Sequence, residues 1–292
     1  MIILYFSIMA VMRVIQTTCN KKVSNLLRSD KTNLHFLAYQ NLVSAVAAIV
    51  LVLIGGFYGF DMPTFIIGFF MGLSITAAVI TSFESLKSSS ILLVYMISNA
   101  SIILPTVLGI FLFGEQVSLF QWLGVVMFLI SSVFIVKSSQ QATSSLTVKS
   151  ILFLLAVFIS NGIIMILQKY FAIEYPKGNI ALFNFAAYFT NAVLFYIIVG
   201  FLALKKKQMP QRLGKPLLIN GALLSLAIFI IGQLVTLCAR TISSAVLFTV
   251  SGGISLIVAA LVSSLVFKEK FNINSLLGLI TSLAAIVILS VF

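Results

Sequence analysis

Ten runs of about 20 apolar residues follow one another along the chain, near 1–20, 34–54, 63–86, 89–113, 118–136, 150–171, 179–203, 217–238, 242–267 and 272–292. About 20 residues of helix cross a hydrocarbon core about 30 Å thick. Inside that core no water is present, so backbone N–H and C=O groups must bond within the protein, which leaves helices or closed barrels. Barrel strands alternate apolar and polar residues over about ten positions; these runs are longer and continuous, so they predict helices. Composition agrees. Hydrophobic residues make up 61% of the 292 and charged residues 8%, against about 25% charged in a soluble domain. With a mean hydropathy of +1.20, the chain has too few polar groups to cover its own surface in water. The fold class expected is an all-α integral membrane protein with ten transmembrane helices.

Several function classes drop out early. A net charge of +12 would suggest nucleic acid if it formed one face. The basic residues instead fall in short bursts between apolar runs, as loop charges do, so no nucleic-acid partner is expected. Cys19 and Cys238 both lie in apolar runs and reveal neither a disulfide nor a compartment. The opening MIILYFSIMAVM lacks the basic n-region of a signal peptide and reads as a retained first span. SSQQATSSLTVK at 138–149 and LKKKQMPQRLGK at 204–215 read as connectors, and no soluble domain is expected. One histidine and six acids, most of them in loops, form no catalytic cluster, so the chain is not expected to be an enzyme. No metal site and no cofactor are expected either. GxxxxGK[ST] is missing, so ATP is not the expected energy source.

The chain repeats itself. GEQVSLFQWLG at 114–124 is echoed by KEKFNINSLLG at 268–278, with glutamates at Glu115 and Glu269. Without gaps, residues 88–138 match 242–292 at an offset of 154 in 11 of 51 positions. The shared Glu and Gly within one loop–helix junction carry more weight than matches between apolar spans. Two repeats are expected, 1–137 and 150–292, each of five helices, joined by the connector 138–149. Five is odd, so the second repeat enters the membrane from the opposite side and the repeats are inverted.

The changed charges follow. Lys and Arg favour cytoplasmic loops, so the KEK copy belongs inside and the GEQ copy outside. Loops after spans 1, 3, 5, 7 and 9 hold fourteen Lys and Arg; the other face holds Lys169, Lys177 and Arg240, and Arg13 lies within the first span. Both termini are expected outside a cytoplasmic (plasma) membrane.

Pro105 with LGIFLFGEQVSLFQWLGVVMFLISS, its second copy LVFKEKFNINSLLGLITSL, and SFESLKSSSILLVYMI resemble the drug/metabolite transporter superfamily, in its EamA-like branch of two five-helix repeats. The first span departs from that pattern: the usual Trp-Gly pair is missing where Arg13 and its neighbours stand, although a lysine follows at Lys21 or Lys22. The resemblance implies transport of a small molecule by alternating access. It names no cargo and carries no shared catalytic motif.

Arg13 is the first candidate for substrate binding. Twelve helical residues from the span's outer end place it about 18 Å deep, where a cation costs about 2.5 to 3.5 kcal/mol and marks a functional site by default. It binds an anionic group in a central cavity, or it snorkels or pairs with an acid on another helix. Gln16, Thr17 and Asn20 continue a polar stripe of helical period that should face inward. A second group comes from helices four and nine, since inverted-repeat transporters often place their site where mid-membrane helices are interrupted. These are Tyr95, Ser98, Asn99, Ser251, Gly252, Gly253 and Ser255, with Pro105 loosening the fourth helix; the alternative is helix packing through small residues. Glu84 is a possible coupling site, or an intrahelical partner of Lys87. Lesser candidates are Gln40, Asn161, Gln168, Asn184, Tyr188, Asn191 and Gln233, and His35 reads as interfacial. Glu115 and Glu269 read as structural, each satisfying the N–H groups of the helix that follows, with Ser118 and Asn272 as N-caps. Trp122 and the phenylalanines read as lipid-facing bulk or interface anchors.

The function expected is a secondary transporter moving a small polar or amphipathic metabolite by alternating access, in export or exchange. A channel or a lipid-translocating protein is the alternative. The partners expected are a small-molecule substrate, with an anionic group if Arg13 binds it, and the lipid bilayer. A homodimer is left open.

Overall fold

The computed structural model describes residues 2–26, 30–54, 61–86, 91–138, 148–206, 213–266 and 273–291. Among the described residues the ordered elements are helices: α1 (Ile2–Leu26), α2 (Asp30–Ile54), α3 (Met62–Leu86), α4 (Ile91–Ala100), α5 (Ile103–Phe113), α6 (Leu119–Ser138), α7 (Val148–Glu174), α8 (Ile180–Lys206), α9 (Lys215–Cys238), α10 (Ser244–Leu265) and α11 (Ile273–Val291). Eight helical stretches are long and apolar enough to cross a membrane, and two shorter apolar ones lie at Leu119–Phe134 and Leu276–Leu289. These are the ten expected spans.

The fourth span comprises α4 and α5, and its interruption has a local cause. Pro105 has no N–H to give the Ser101 carbonyl four residues earlier. The chain tightens there instead: Ile102 N–H bonds Asn99 O at 3.2 Å and Leu104 N–H bonds Ser101 O at 3.1 Å. In the second half the equivalent helix, α10, runs unbroken through Gly252 and Gly253.

Packing relates the two halves. Pairing each span with the one five later couples α1 with α7, α2 with α8, α3 with α9, α4/α5 with α10, and α6 with α11. The principal contacts survive this exchange: α1 on α9 mirrors α7 on α3, α1 on α10 mirrors α7 on α4 and α5, and α3 on α8 mirrors α9 on α2. The α2–α8 and α6–α11 contacts map onto themselves. Since α2 pairs with α8 and α6 with α11, the halves interlock rather than standing side by side. Successive crossings alternate in direction, so equivalents five spans apart run oppositely, as inverted repeats must.

Helices in lipid gain little from hydrophobicity alone and associate through close packing and polar bridges. Both devices are present. Thr76 Oγ1 donates to Asn191 Oδ1 at 3.2 Å between α3 and α8, and Ser44 Oγ donates to Ser225 O at 3.2 Å between α2 and α9. Phe171 and Phe183 stack at 4.3 Å between α7 and α8. With Phe128 and Phe195 they are fully buried, which corrects, for these four, the expectation that the phenylalanines are lipid-facing or interfacial bulk; Phe70, Phe111 and Phe201 are exposed as expected. Large rings fill the wide gaps between helices that small residues cannot fill.

Gly72 shows how tight the α3–α8 seam is: a Cβ there would stand 2.5 Å from Ala187 O and 2.7 Å from the Thr190 Cβ. Overpacking of this kind costs about 1–3 kcal/mol. Gly72→Val is expected to lower the thermal unfolding midpoint in detergent, and an unchanged midpoint would show that the seam has slack.

Candidate functional site

Two polar assemblies stand out, one at an end of the bundle and one within it. The first begins with Gly114, whose backbone is left-handed at φ 63°. Glycine adopts this conformation without the steric cost of a Cβ, and it closes α5 in a Schellman-like turn. Glu115 N–H then bonds Gly109 O at 3.1 Å, which folds the glutamate back along the helix it has just left. Gly109 makes room, since a Cβ there would collide with the Glu115 carboxylate.

That carboxylate meets Lys169 of α7, with Nζ to Oε1 at 2.7 Å and side chains 5% (Lys169) and 8% (Glu115) exposed. It also accepts the Ser244 backbone N–H, at 2.9 Å to Oε2 and 3.1 Å to Oε1, and the Ser244 hydroxyl at 3.2 Å. Lys169 Nζ donates to Ala239 O at 3.0 Å and Ile242 O at 2.7 Å. The anion therefore sits on the positive start of α10 and the cation on carbonyls at the negative end of α9, each where the helix dipole favours it. Arg240, in the same α9–α10 turn, donates through Nη2 to Gly178 O at 2.7 Å, tying in the α7–α8 loop.

The magnitudes nearly cancel. At 2.7 Å and an effective dielectric constant near 20, the Coulomb attraction is about 6 kcal/mol. Dehydrating each ion costs several kcal/mol, so the pair fixes geometry more than it adds stability.

The expected role of Glu115 is corrected in its target: it satisfies the N–H of α10, in the other half, rather than that of the helix that follows it. The fold-back over Gly109 points the carboxylate away from α6. Ser118 caps α6 as expected, in a reciprocal box where Gln121 N–H bonds Ser118 Oγ at 3.2 Å and Ser118 N–H bonds Gln121 Oε1 at 3.3 Å. Glu269 and Asn272 lie outside the described residues. Lys169, counted above with a loop, is inside α7. A signal for it existed: Lys169 lies inside the apolar run 150–171.

The second assembly includes Arg13. Arg13 Nη1 donates to Gln16 Oε1 at 2.8 Å, and the guanidinium lies within electrostatic reach of Tyr188 on α8. Tyr188, 5% exposed, rests on Gly232 of α9: a Cβ there would stand 2.5 Å from its hydroxyl and 3.6 Å from Asn184 Oδ1. Asn184 is fully buried. Its amide donates to Ile180 O at 3.1 Å, while Oδ1 has no hydrogen-bond partner. Gln233 Nε2, one residue from Gly232, is likewise buried without one. The first half contributes α1 and the second α8 and α9, so this cluster lies on the seam between them.

The remaining candidates are placed as follows. Gln16 and Thr17 are partly buried, whereas Asn20 is exposed, which corrects the expectation that the whole stripe faces inward. Ser98 donates back to Val94 O at 2.9 Å within α4, and Asn99 Nδ2 is buried without a partner. The Tyr95 side chain lies outside the described part. Ser251 is buried, Ser255 half-buried. Gly252 packs on Phe128, 2.7 Å from the position of an added Cβ, and Gly253 on Ile286, at 2.9 Å; these contacts are those of the packing alternative. Glu84 is half-buried near the end of α3, and its expected partner Lys87 lies outside the described residues. Among the lesser candidates, Asn161 donates to Val157 O within its own helix, and Asn191 bridges to Thr76. His35 meets Tyr196 edge-on at 6.3 Å.

Residues 1–137 match a known family, the EamA-like transporter family. Residues 1–137 are EamA-like. The family consists of membrane transporters of the drug/metabolite type rather than enzymes, and the chain is a multi-pass membrane protein. A crystal structure of a protein 12% identical in sequence superposes with a TM-score of 0.75, covering 98% of this chain and 94% of the other. At that identity the likeness shows the fold alone. No curated protein is significantly similar in sequence. The EamA-like match includes Arg13, Gly109 and Glu115, so members of both polar assemblies lie within it, whereas Lys169, Tyr188 and Ser244 lie beyond it.

Gly109→Val is expected to displace the Glu115 carboxylate and leave the Ser244 N–H without its acceptor. Hydrogen–deuterium exchange at the start of α10 should then speed up at least tenfold. Unchanged exchange there would contradict the assignment of Glu115 as the acceptor.

Proposed function

We propose that this EamA-like protein is a secondary transporter that carries a small polar or amphipathic metabolite across the cytoplasmic membrane, by export or exchange. The repeats run 1–137 and 150–292 with 138–149 as connector, and they rock about a site on their seam, presenting it to each side in turn. Both termini lie outside, because the basic residues crowd the loops after odd-numbered spans. Its chemistry is carriage rather than catalysis.

The observation that carries this reading is Arg13, a cation deep in the first span, hydrogen-bonded to Gln16 and within electrostatic reach of Tyr188 on the other half. Intramembrane cations are rare and mark substrate paths. Arg13, held by Gln16, takes an anionic group such as a carboxylate. Asn184 Oδ1, an acceptor without a hydrogen-bond partner, suits a donor elsewhere on the same molecule. An anionic end and a hydrogen-bond donor at a distance describe the substrate class. Thr17, Asn20, Tyr95, Ser98, Asn99, Ser251 and Ser255 belong to the same path in this proposal, with Gly252 and Gly253 setting how closely the helices around it approach. Glu84 is the proposed coupling residue.

A charge-assisted hydrogen bond contributes about 1.5–3 kcal/mol, so Arg13→Ala should weaken an anionic ligand roughly tenfold to a hundredfold. Small carboxylates are screened by thermal shift on purified protein. A ligand that stabilises the native form and not Arg13→Ala supports the reading, and equal stabilisation of both removes Arg13 as the anchor. Counterflow of the labelled ligand in proteoliposomes then separates a carrier, which shows trans-stimulation, from a channel, which does not.

A further inference from the structure

We propose that the Glu115–Lys169–Ser244 assembly is the gate at its end of the transporter, closed in this structure and separated in the alternate state. The proposal rests on the transport reading above and adds to it the residues that seal one face. Three observations point to it. The assembly crosses the division between the halves: Glu115 comes from the first, while Lys169, Ser244 and the carbonyls of Ala239 and Ile242 come from the second. It sits where α5, α7 and α9 end and α10 begins, so parting it separates helix ends rather than a core. Both ions are more than nine-tenths buried, so water does not reach them here.

Its chemistry suits a contact that opens. An apolar plug loses its gain when water enters, whereas a carboxylate, an ammonium and two helix ends all exchange protein partners for water. Attraction and dehydration oppose each other at similar size, which lets two states lie close in free energy. The fold-back over Gly109 gives Glu115 a short arm on the end of α5.

The test reads distance and requires no known substrate. Gln116 and Lys177 are both exposed, on loops either side of the assembly. Spin labels are placed at Gln116→Cys and Lys177→Cys after Cys19→Ala and Cys238→Ala, in lipid nanodiscs, and double electron–electron resonance gives the distance distribution. A dominant short distance is expected with the assembly intact. Glu115→Gln and Lys169→Met keep the side-chain volumes and remove one charge each; either should bring in a second, longer-distance population. Variants that fold with an unchanged distribution overturn the proposal. Single variants that cannot be recovered as folded protein make the assembly a fixed staple and overturn it equally. Counterflow is measured on the same preparations: its absence beside a two-peaked distribution is a failure of the transport reading, not of the movement.

Discussion

An ammonium group placed inside a helical bundle must find an anion or polar oxygens, because the surroundings offer it nothing else. Lys169 finds both. Its carboxylate partner comes from the far side of the division between the halves, and its two carbonyls come from the turn between α9 and α10. Meeting that one requirement fixes the α5 end, the α7 end and the start of α10 relative to each other. It also explains two glycines: Gly114 turns the chain back, and Gly109 leaves space for the returning carboxylate.

The same logic of internal satisfaction runs through the bundle. Hydrocarbon supplies no hydrogen bonds, so Thr76, Ser44 and Tyr39 spend theirs on other helices or on their own backbone. Duplication then sets which helices meet. Exchanging every span for its equivalent five later reproduces the main contacts. Such near-equivalence is what alternating access asks of a fold. Arg13 lies on the seam that would move, and the Glu115 assembly lies at its end.

Much of this was legible along the chain, and the gaps have physical causes. The spans follow from hydropathy because lipid forces each helix to be apolar over a fixed length. Pro105 announces the break at Ser101–Ile102, and Ser118 announces the start of α6, since both effects act within four residues. Glu115 was recognisable as a capping carboxylate, yet its acceptor-seeking N–H belongs to Ser244, 129 residues away, and no local pattern reports such a distance. Lys169 was hidden by the loop-charge count, which treats a lysine near a span's end as solvated. Gly252 and Gly253 illustrate a further limit: small residues mark close approach equally well whether the neighbour is a ligand or, as with Phe128 and Ile286, another helix.

Inversion of the two halves is the premise on which the seam, the gate and the substrate site all depend. It is tested most directly by labelling intact cells with a membrane-impermeant maleimide, using single cysteines at Gln116 or Lys268 in a background without Cys19 and Cys238. Gln116→Cys should react from outside, and Lys268→Cys only after the membrane is permeabilised. Reaction of both from the same compartment would contradict the account.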